Sequence, residues 1–345
     1  MRESARRAAL VLVLAGIWIS TTVMAAGSPA EPPSPAMEAY TRGQEHLARR
    51  TEADLSAALQ DFERATAADA TFAPAFASLA ETQALLYNYP RAREAANRAL
   101  ALDDRLANAH AVLGFIRMHA DWDWAGAEGE LRRAVELEPA RTTQHLWYAI
   151  LLEVTGRSDE AVKEARRAVE LAPDDARVRA GLGYRLFWAR RYDDAVAELT
   201  AALKLDPDLE TAEYFIGRAR IQQRRFDEAR AAFARARELS PRDANLDTSG
   251  AYLEALAGRR KEAERVLADV ERLAGRGLPF ASQAAGIHSA LGHKEVALGW
   301  LERAFSAKEG ALVWLKIDPR FDPLRAEPRF AKILSGMKLA APATP

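Results

Sequence analysis

Apolar and small residues recur along this chain with a period of 34 positions, and that period predicts its elements. Pro139, Pro173, Pro207 and Pro241 stand at this interval, each closing a similar phrase: ELEP, ELAP, KLDP and ELSP. Twelve residues ahead of each proline is an alanine: Ala127, Ala161, Ala195 and Ala229. Counting the proline as position 32 of a unit and this alanine as position 20, position 27 is Ala134, Ala168, Ala202 and Ala236. Position 24 is Leu131, Ala165, Leu199 and Phe233, and position 8 is Gly114, Ala149, Gly183 and Gly217. Leu113, Tyr148, Leu182 and Ile216 come just before position 8. Small residues at 8 and 20 let two helices approach closely, and larger ones at 7 and 24 fill the space between pairs. A fixed period of this length signals stacked units, each hiding its apolar face against the next.

Local chemistry agrees with two helices per unit. The residue before a proline is pushed out of helical geometry, so the second helix of each unit, helix B, stops there. Asp175, Asp208 and Asp243 then stand where they can cap the first helix, helix A, of the next unit. Gly156 and Gly258 fall in the turn between helices A and B, where a positive φ is needed.

This pattern resembles the tetratricopeptide repeat, from about Tyr40 to Phe305. It extends backward through Ala92, Ala99 and Asp104, with aspartate in place of the proline, to Ala58, Phe62, Ala65 and Ala70. About three extra residues are placed in the turn between Arg49 and Asp54. Forward, Ala263 and Leu267, then Ala297, Leu301 and Ala304, continue it without prolines. The resemblance implies an all-α, right-handed superhelical solenoid of about eight helix–turn–helix units over residues 37–309. Residues 310–339 break the period and repeat a phrase, Asp318-Pro-Arg-Phe321 and Glu327-Pro-Arg-Phe330. They are expected to be capping helices, with Phe321, Leu324, Phe330, Ile333 and Leu334 covering the open end of unit eight. Residues 340–345 are expected to be a disordered tail.

A narrower resemblance links Asp121-Trp-Asp-Trp-Ala-Gly-Ala-Glu128 and Asp318-Pro-Arg-Phe-Asp-Pro-Leu-Arg325 to the repeat arrays of multidomain bacterial regulators. In those proteins the array follows a winged-helix or kinase domain. Neither head is legible here, so DNA binding and phosphotransfer are not expected.

The N-terminus reads as an export signal. Arg2, Arg6 and Arg7 precede a twelve-residue apolar run, Ala8 to Ile19, and Val23-Met24-Ala25 offers a small-residue cleavage site. Residues 1–25 are therefore expected to be a signal peptide. Residues 26–36, with Pro29, Pro32, Pro33 and Pro35, are expected to be an extended linker. A periplasmic or secreted protein follows, with no membrane insertion once the signal is cleaved; an uncleaved anchor is the alternative.

Composition removes several chemistries. With no cysteine there is no disulfide, thiolate nucleophile or zinc-thiolate site. A formal net charge of −1 gives no bulk attraction to nucleic acid. No HExxH, GxSxG or glycine-rich phosphate loop occurs, so neither an enzyme nor a cofactor is expected. His119, Asp121 and Asp123 lie close enough to suggest a metal. The plainer reading has both aspartates capping helix B while Trp122 and Trp124 pack its entrance. His110 and His145 share position 4 of adjacent units, which suggests side-by-side stacking, with a pH-sensitive contact as the second reading. Arg157, Arg191, Arg225 and Arg259 recur at position 16, each near acids that would neutralise it.

In the family, positions 2, 5, 9, 12 and 13 of helix A line a concave groove. Carried over, they give Phe115, Met118 and Ile150 in units three and four, then Tyr184, Phe187, Trp188, Tyr214, Arg218 and Tyr252 in units five to seven. Aromatic residues with an arginine are the composition of interface hot spots, although Phe187 and Trp188 also suit internal packing. Position 5 (Ala77, Ala111, Leu146, Ala180, Tyr214) carries no lysine, which argues against a clamp for a peptide's terminal carboxylate. The expected function is a non-enzymatic adaptor or scaffold for a protein or peptide partner. Alternatives are a glycan-handling module of envelope secretion, in which the aromatics stack on sugars, and a membrane-tethered sensor fragment.

Overall fold

The computed structural model describes residues 33–49, 51–241 and 243–339. The predicted signal peptide, nearly all of the linker and the predicted tail lie outside these residues. Among them every regular element is helical. Eight pairs follow in order: α1 (Pro35–Arg49) with α2 (Glu52–Ala68), α3 (Ala73–Leu85) with α4 (Tyr89–Leu102), α5 (Ala107–Ile116) with α6 (Trp124–Leu137), α7 (Thr142–Val154) with α8 (Ser158–Leu171), α9 (Ala176–Trp188) with α10 (Tyr192–Leu205), α11 (Glu210–Gln222) with α12 (Phe226–Leu239), α13 (Ala244–Leu256) with α14 (Arg260–Gly275), and α15 (Ala281–Ala290) with α16 (Lys294–Ser306). Two 3₁₀ turns, Gly310–Trp314 and Pro319–Leu324, and α17 (Pro328–Gly336) follow among the described residues.

The helices stop and start where backbone chemistry requires. α6, α8, α10 and α12 each end two residues before their proline. Asp175 and Asp243 cap α9 and α13, accepting from the Arg177, Val178 and Asn245 amides. Asp208 does not cap α11. Asp206, just before the proline, accepts the Asp208 amide at 3.1 Å and turns the chain there instead. Gly156 and Gly258 do have positive φ, 94° and 80°. The equivalent turns elsewhere place Tyr87, Trp122, Arg190 and Arg224 in the same left-handed region.

Two insertions against the period are absorbed inside helices. The three extra residues of unit one are not in its turn; they lengthen α2 to 17 residues, against 14 in α4, α6, α8, α10 and α12. In unit three, one residue more separates Gly114 from Ala127 than Ala149 from Ala161. It is taken up as a π-helical turn, Arg117–Asp121, at the end of α5.

Within a unit, helices A and B cross at contact distance. A Cβ on Gly114 would lie 2.5 Å from Leu131 Cγ, and one on Gly183 would lie 2.6 Å from Leu199 Cγ. Ala127, Ala195 and Ala229 across these crossings are fully buried. Each helix A also touches helix A of the next unit all along the array, while contacts of similar extent between successive B helices are absent among the described residues. The A helices therefore form the inner wall of the curve.

His110 and His145 do not stack on each other. Each spans its own unit: Nδ1 faces Glu130 or Glu164 at 2.7 Å, and Nε2 faces the Asp104 or Pro139 carbonyl at 3.0 and 2.9 Å. Arg179 makes the same brace in unit five, donating to Glu198 at 2.9 Å and to the Pro173 carbonyl at 3.3 Å. Two acceptors around one imidazole favour its doubly protonated form. The glutamates hold both rings above the ordinary value of 6.5, outweighing burial.

Two tests follow from these contacts. Ala195→Leu overpacks the α9–α10 crossing and should lower stability by about 1–3 kcal/mol, read as a fall in the urea midpoint. Because the histidine pKa values are raised on folding, their contribution is complete below pH 6.5 and is lost as pH climbs through the raised values. Replacing both with arginine should flatten that loss, so the difference in midpoint between variant and wild type should widen from pH 6 to 9. A constant difference would contradict the brace.

Candidate functional site

The inner wall of units five to seven gathers most of the residues expected of a groove. Arg218 projects from α11 with its guanidinium 4.7 Å from the ring centres of Phe187 and Trp188, 5.2 Å from Phe215 and 5.7 Å from Tyr214. Tyr184 packs 4.4 Å from Phe215 and donates to Thr211 at 2.8 Å. Tyr214 shares a 3.0 Å hydrogen bond with Ser249. Burial pushes the Tyr184 and Tyr252 hydroxyls up to about 12. Phe187, Trp188 and Tyr252 are buried, and Tyr184, Tyr214 and Arg218 are half-buried.

The C-terminal segment returns across this wall and covers part of it. Trp314 stacks on Trp188 with ring centres 5.0 Å apart and planes 4° apart. Asp318, 1% exposed, sits 3.9 Å from Arg218 and accepts two bonds from Arg320, at 2.9 and 2.7 Å. Burial opposes ionisation of Asp318, but Arg320 and Arg218 outweigh it and leave its carboxyl below the ordinary value. Arg190 donates to both oxygens of Asp322, at 2.6 and 2.7 Å, and Lys316 donates to the Thr155 carbonyl at 2.8 Å. The segment also packs on unit eight, with Phe321, Leu324, Phe330, Ile333 and Leu334 all buried.

Phe115, Met118 and Ile150 lie apart from this cluster. Phe115 stacks on His119 at 4.0 Å and packs 5.0 Å from Trp147, while Met118 is fully buried at the π-turn. Ile150 and Tyr184 share an open cavity of about 440 Å³, with Leu146, Trp147, Arg177 and the end of α1 at Ala48.

The metal-like group in unit three is dispersed. Asp123 caps α6, accepting from Gly126 N, but Asp121 pairs with Arg93 at 2.7 Å instead of capping. His119 bonds the Phe115 carbonyl, and burial lowers it to about 4. Trp122 and Trp124 reach past their own helix: Trp122 stacks on Phe305 at 5.5 Å, and Trp124 donates to the Met337 carbonyl at 2.7 Å. The arginines at position 16 are neutralised, by Glu160 and Glu128, Asp194, Glu228 and Glu254 respectively.

Sequence reasoning missed Glu153, Arg185, Phe215 and the wall-facing residues of the C-terminal segment. Glu153 stands at position 12 of unit four, a groove position, so an acid there was the available signal. It is fully buried against Arg185 of unit five, which is 6% exposed. Burial pushes the Glu153 carboxyl up, against the pull of Arg185 and Arg218. Removing one partner strands the other, so Glu153→Ala should cost about 3–5 kcal/mol, while Glu153→Leu with Arg185→Met should cost far less. Equal losses in urea titrations of the two variants would contradict a buried pair.

Residues 142–185 and 186–251 each match a tetratricopeptide repeat family. No curated protein sequence matches the chain. Among solved structures, the APC/C hetero-tetramer Cut9–Hcn1 is similar over 68% of this chain and 43% of that one, at 17% identity and a TM-score of 0.52. PilF of Pseudomonas aeruginosa covers 59% of this chain and 92% of its own, at 20% identity and a TM-score of 0.47. A thermophilic repeat protein of Thermus thermophilus covers 54% and 99%, at 22% and 0.48. The Cut9–Hcn1 likeness speaks to the fold alone.

Proposed function

We propose that this chain, a tetratricopeptide-repeat protein, is an exported, non-enzymatic scaffold that docks an extended or helical segment of a partner protein along its inner wall. The family and fold make it an interaction scaffold. The observation that carries the finer reading is the aromatic wall around Arg218, continued by the cavity beside Ile150 and Tyr184. Such a wall offers rigid aromatic area at low ordering cost, the chemistry of a docking surface. The acids met along it are engaged with arginines, Glu153 with Arg185 and Asp318 with Arg320, which supports binding over acid–base work. Export rests on the charged, apolar and small-residue succession of residues 1–25, and among the described residues no helix is long and apolar enough to cross a membrane.

A photo-crosslinking residue at Ile150 or Tyr184 should trap a partner in cells, whereas one at Glu170 on the outer helix α8 should not. Trapping from Glu170 alone would contradict the inner-wall reading. Intact mass of the envelope-localised protein should lack the first 25 residues; full-length mass would show an anchor instead.

A further inference from the structure

An end cap needs only apolar contact with α15 and α16, and residues 319–336 supply it. The contacts that Trp314, Lys316, Asp318 and Asp322 make with units four to six are of another kind. They are an indole stack on Trp188, an acid beside the aromatic-boxed Arg218, a two-pronged bond from Arg190, and an ammonium on the Thr155 carbonyl. The stack and the bonds from Arg190 and Lys316 are directional, the Asp318–Arg218 contact is a charge pairing at 3.9 Å, and the two acids meet one arginine of the wall and one at its rim. A planar guanidinium–carboxylate contact, a buried opposite charge and flat aromatic stacking are how a groove reads a peptide segment.

We propose that residues 314–322 are an intramolecular occupant of the partner groove, and that the groove takes from a partner protein a segment of the same chemistry: an aromatic side chain followed four and eight residues later by carboxylates. This rests on the inner wall being the docking surface. Trp188, Arg218 and Arg190 can each serve one occupant at a time, so the partner displaces the chain's own segment. Tethering gives that segment an effective concentration of roughly millimolar order, which reduces the apparent affinity of any free competitor.

The test uses the full chain and a fluorescent peptide of residues 310–325, read by anisotropy. Trp314→Ala with Asp322→Asn loosens the chain's own segment and leaves the wall intact. It should bind the peptide at least about tenfold more tightly than wild type does. Adding Trp188→Ala to the loosened chain should abolish binding. Equal binding to wild type and loosened chain, binding that survives Trp188→Ala, or a loosened chain that only dimerises without taking peptide would overturn the proposal. If the loosened chain loses its helical circular-dichroism signal, Arg190→Glu, a change at the exposed rim, decides instead. That variant should prefer a peptide carrying Asp322→Arg over the native peptide, and equal affinity for both would sink the idea. A failed peptide arm alongside retained crosslinking at Ile150 and Tyr184 would remove this inference and leave the scaffold reading standing.

Discussion

Everything in this fold depends on how closely two helices approach inside each unit. Gly114 and Gly183 leave no room for a Cβ beneath Leu131 and Leu199, and Gly43 meets Phe62 in the same way. With the crossings fixed, each hairpin has one shape and stacks on the next with the same offset. Each interface then adds its own increment of stability, and inner and outer walls differ in character. Insertions are tolerated only where they leave the crossing alone, which explains a longer α2 and a π-turn after α5 in place of longer connecting loops.

Curvature brings distant units together. Arg177 of unit five donates to the Ala48 and Arg49 carbonyls at the end of α1, at 3.2 and 3.1 Å, where a cation meets the negative end of a helix. Trp122 of unit three reaches Phe305 of unit eight, and Trp124 reaches Met337 beyond it. The C-terminal segment fills the space so enclosed. Without it, Trp188 would lose the indole that covers it and Arg218 the buried acid beside it.

The hairpins were legible because their signal is local and repeated: prolines, alanines and glycines at constant spacing each do one thing to the backbone. The repeat positions also brought together side chains that cluster on one wall, Trp188 and Tyr214 around Arg218 and Tyr184 against Phe215. What covers them was not. The stack of Trp314 on Trp188 and the pairing of Arg190 with Asp322 join residues more than a hundred positions apart and recur nowhere else, so no period betrays them. The phrase from Asp318 to Phe321 carried both roles at once, its phenylalanine toward unit eight and its aspartate toward Arg218. Asp208 misled because it stands one residue short of the cap position of α11, which Leu209 holds. His110 and His145 misled because equal repeat positions suggest neighbours, whereas each ring is held by its own helix B.

The absence of cysteine from the chain permits a direct measurement of whether the segment lies across the wall. Arg190→Cys and Asp322→Cys in the full chain, treated with a short bismaleimide, should yield one intramolecular crosslink in nearly every molecule, and that linked form should lose partner capture. Free thiols at both sites after treatment, in a protein that keeps its helical content, would mean that the inner wall is open and that its occupant is not this chain.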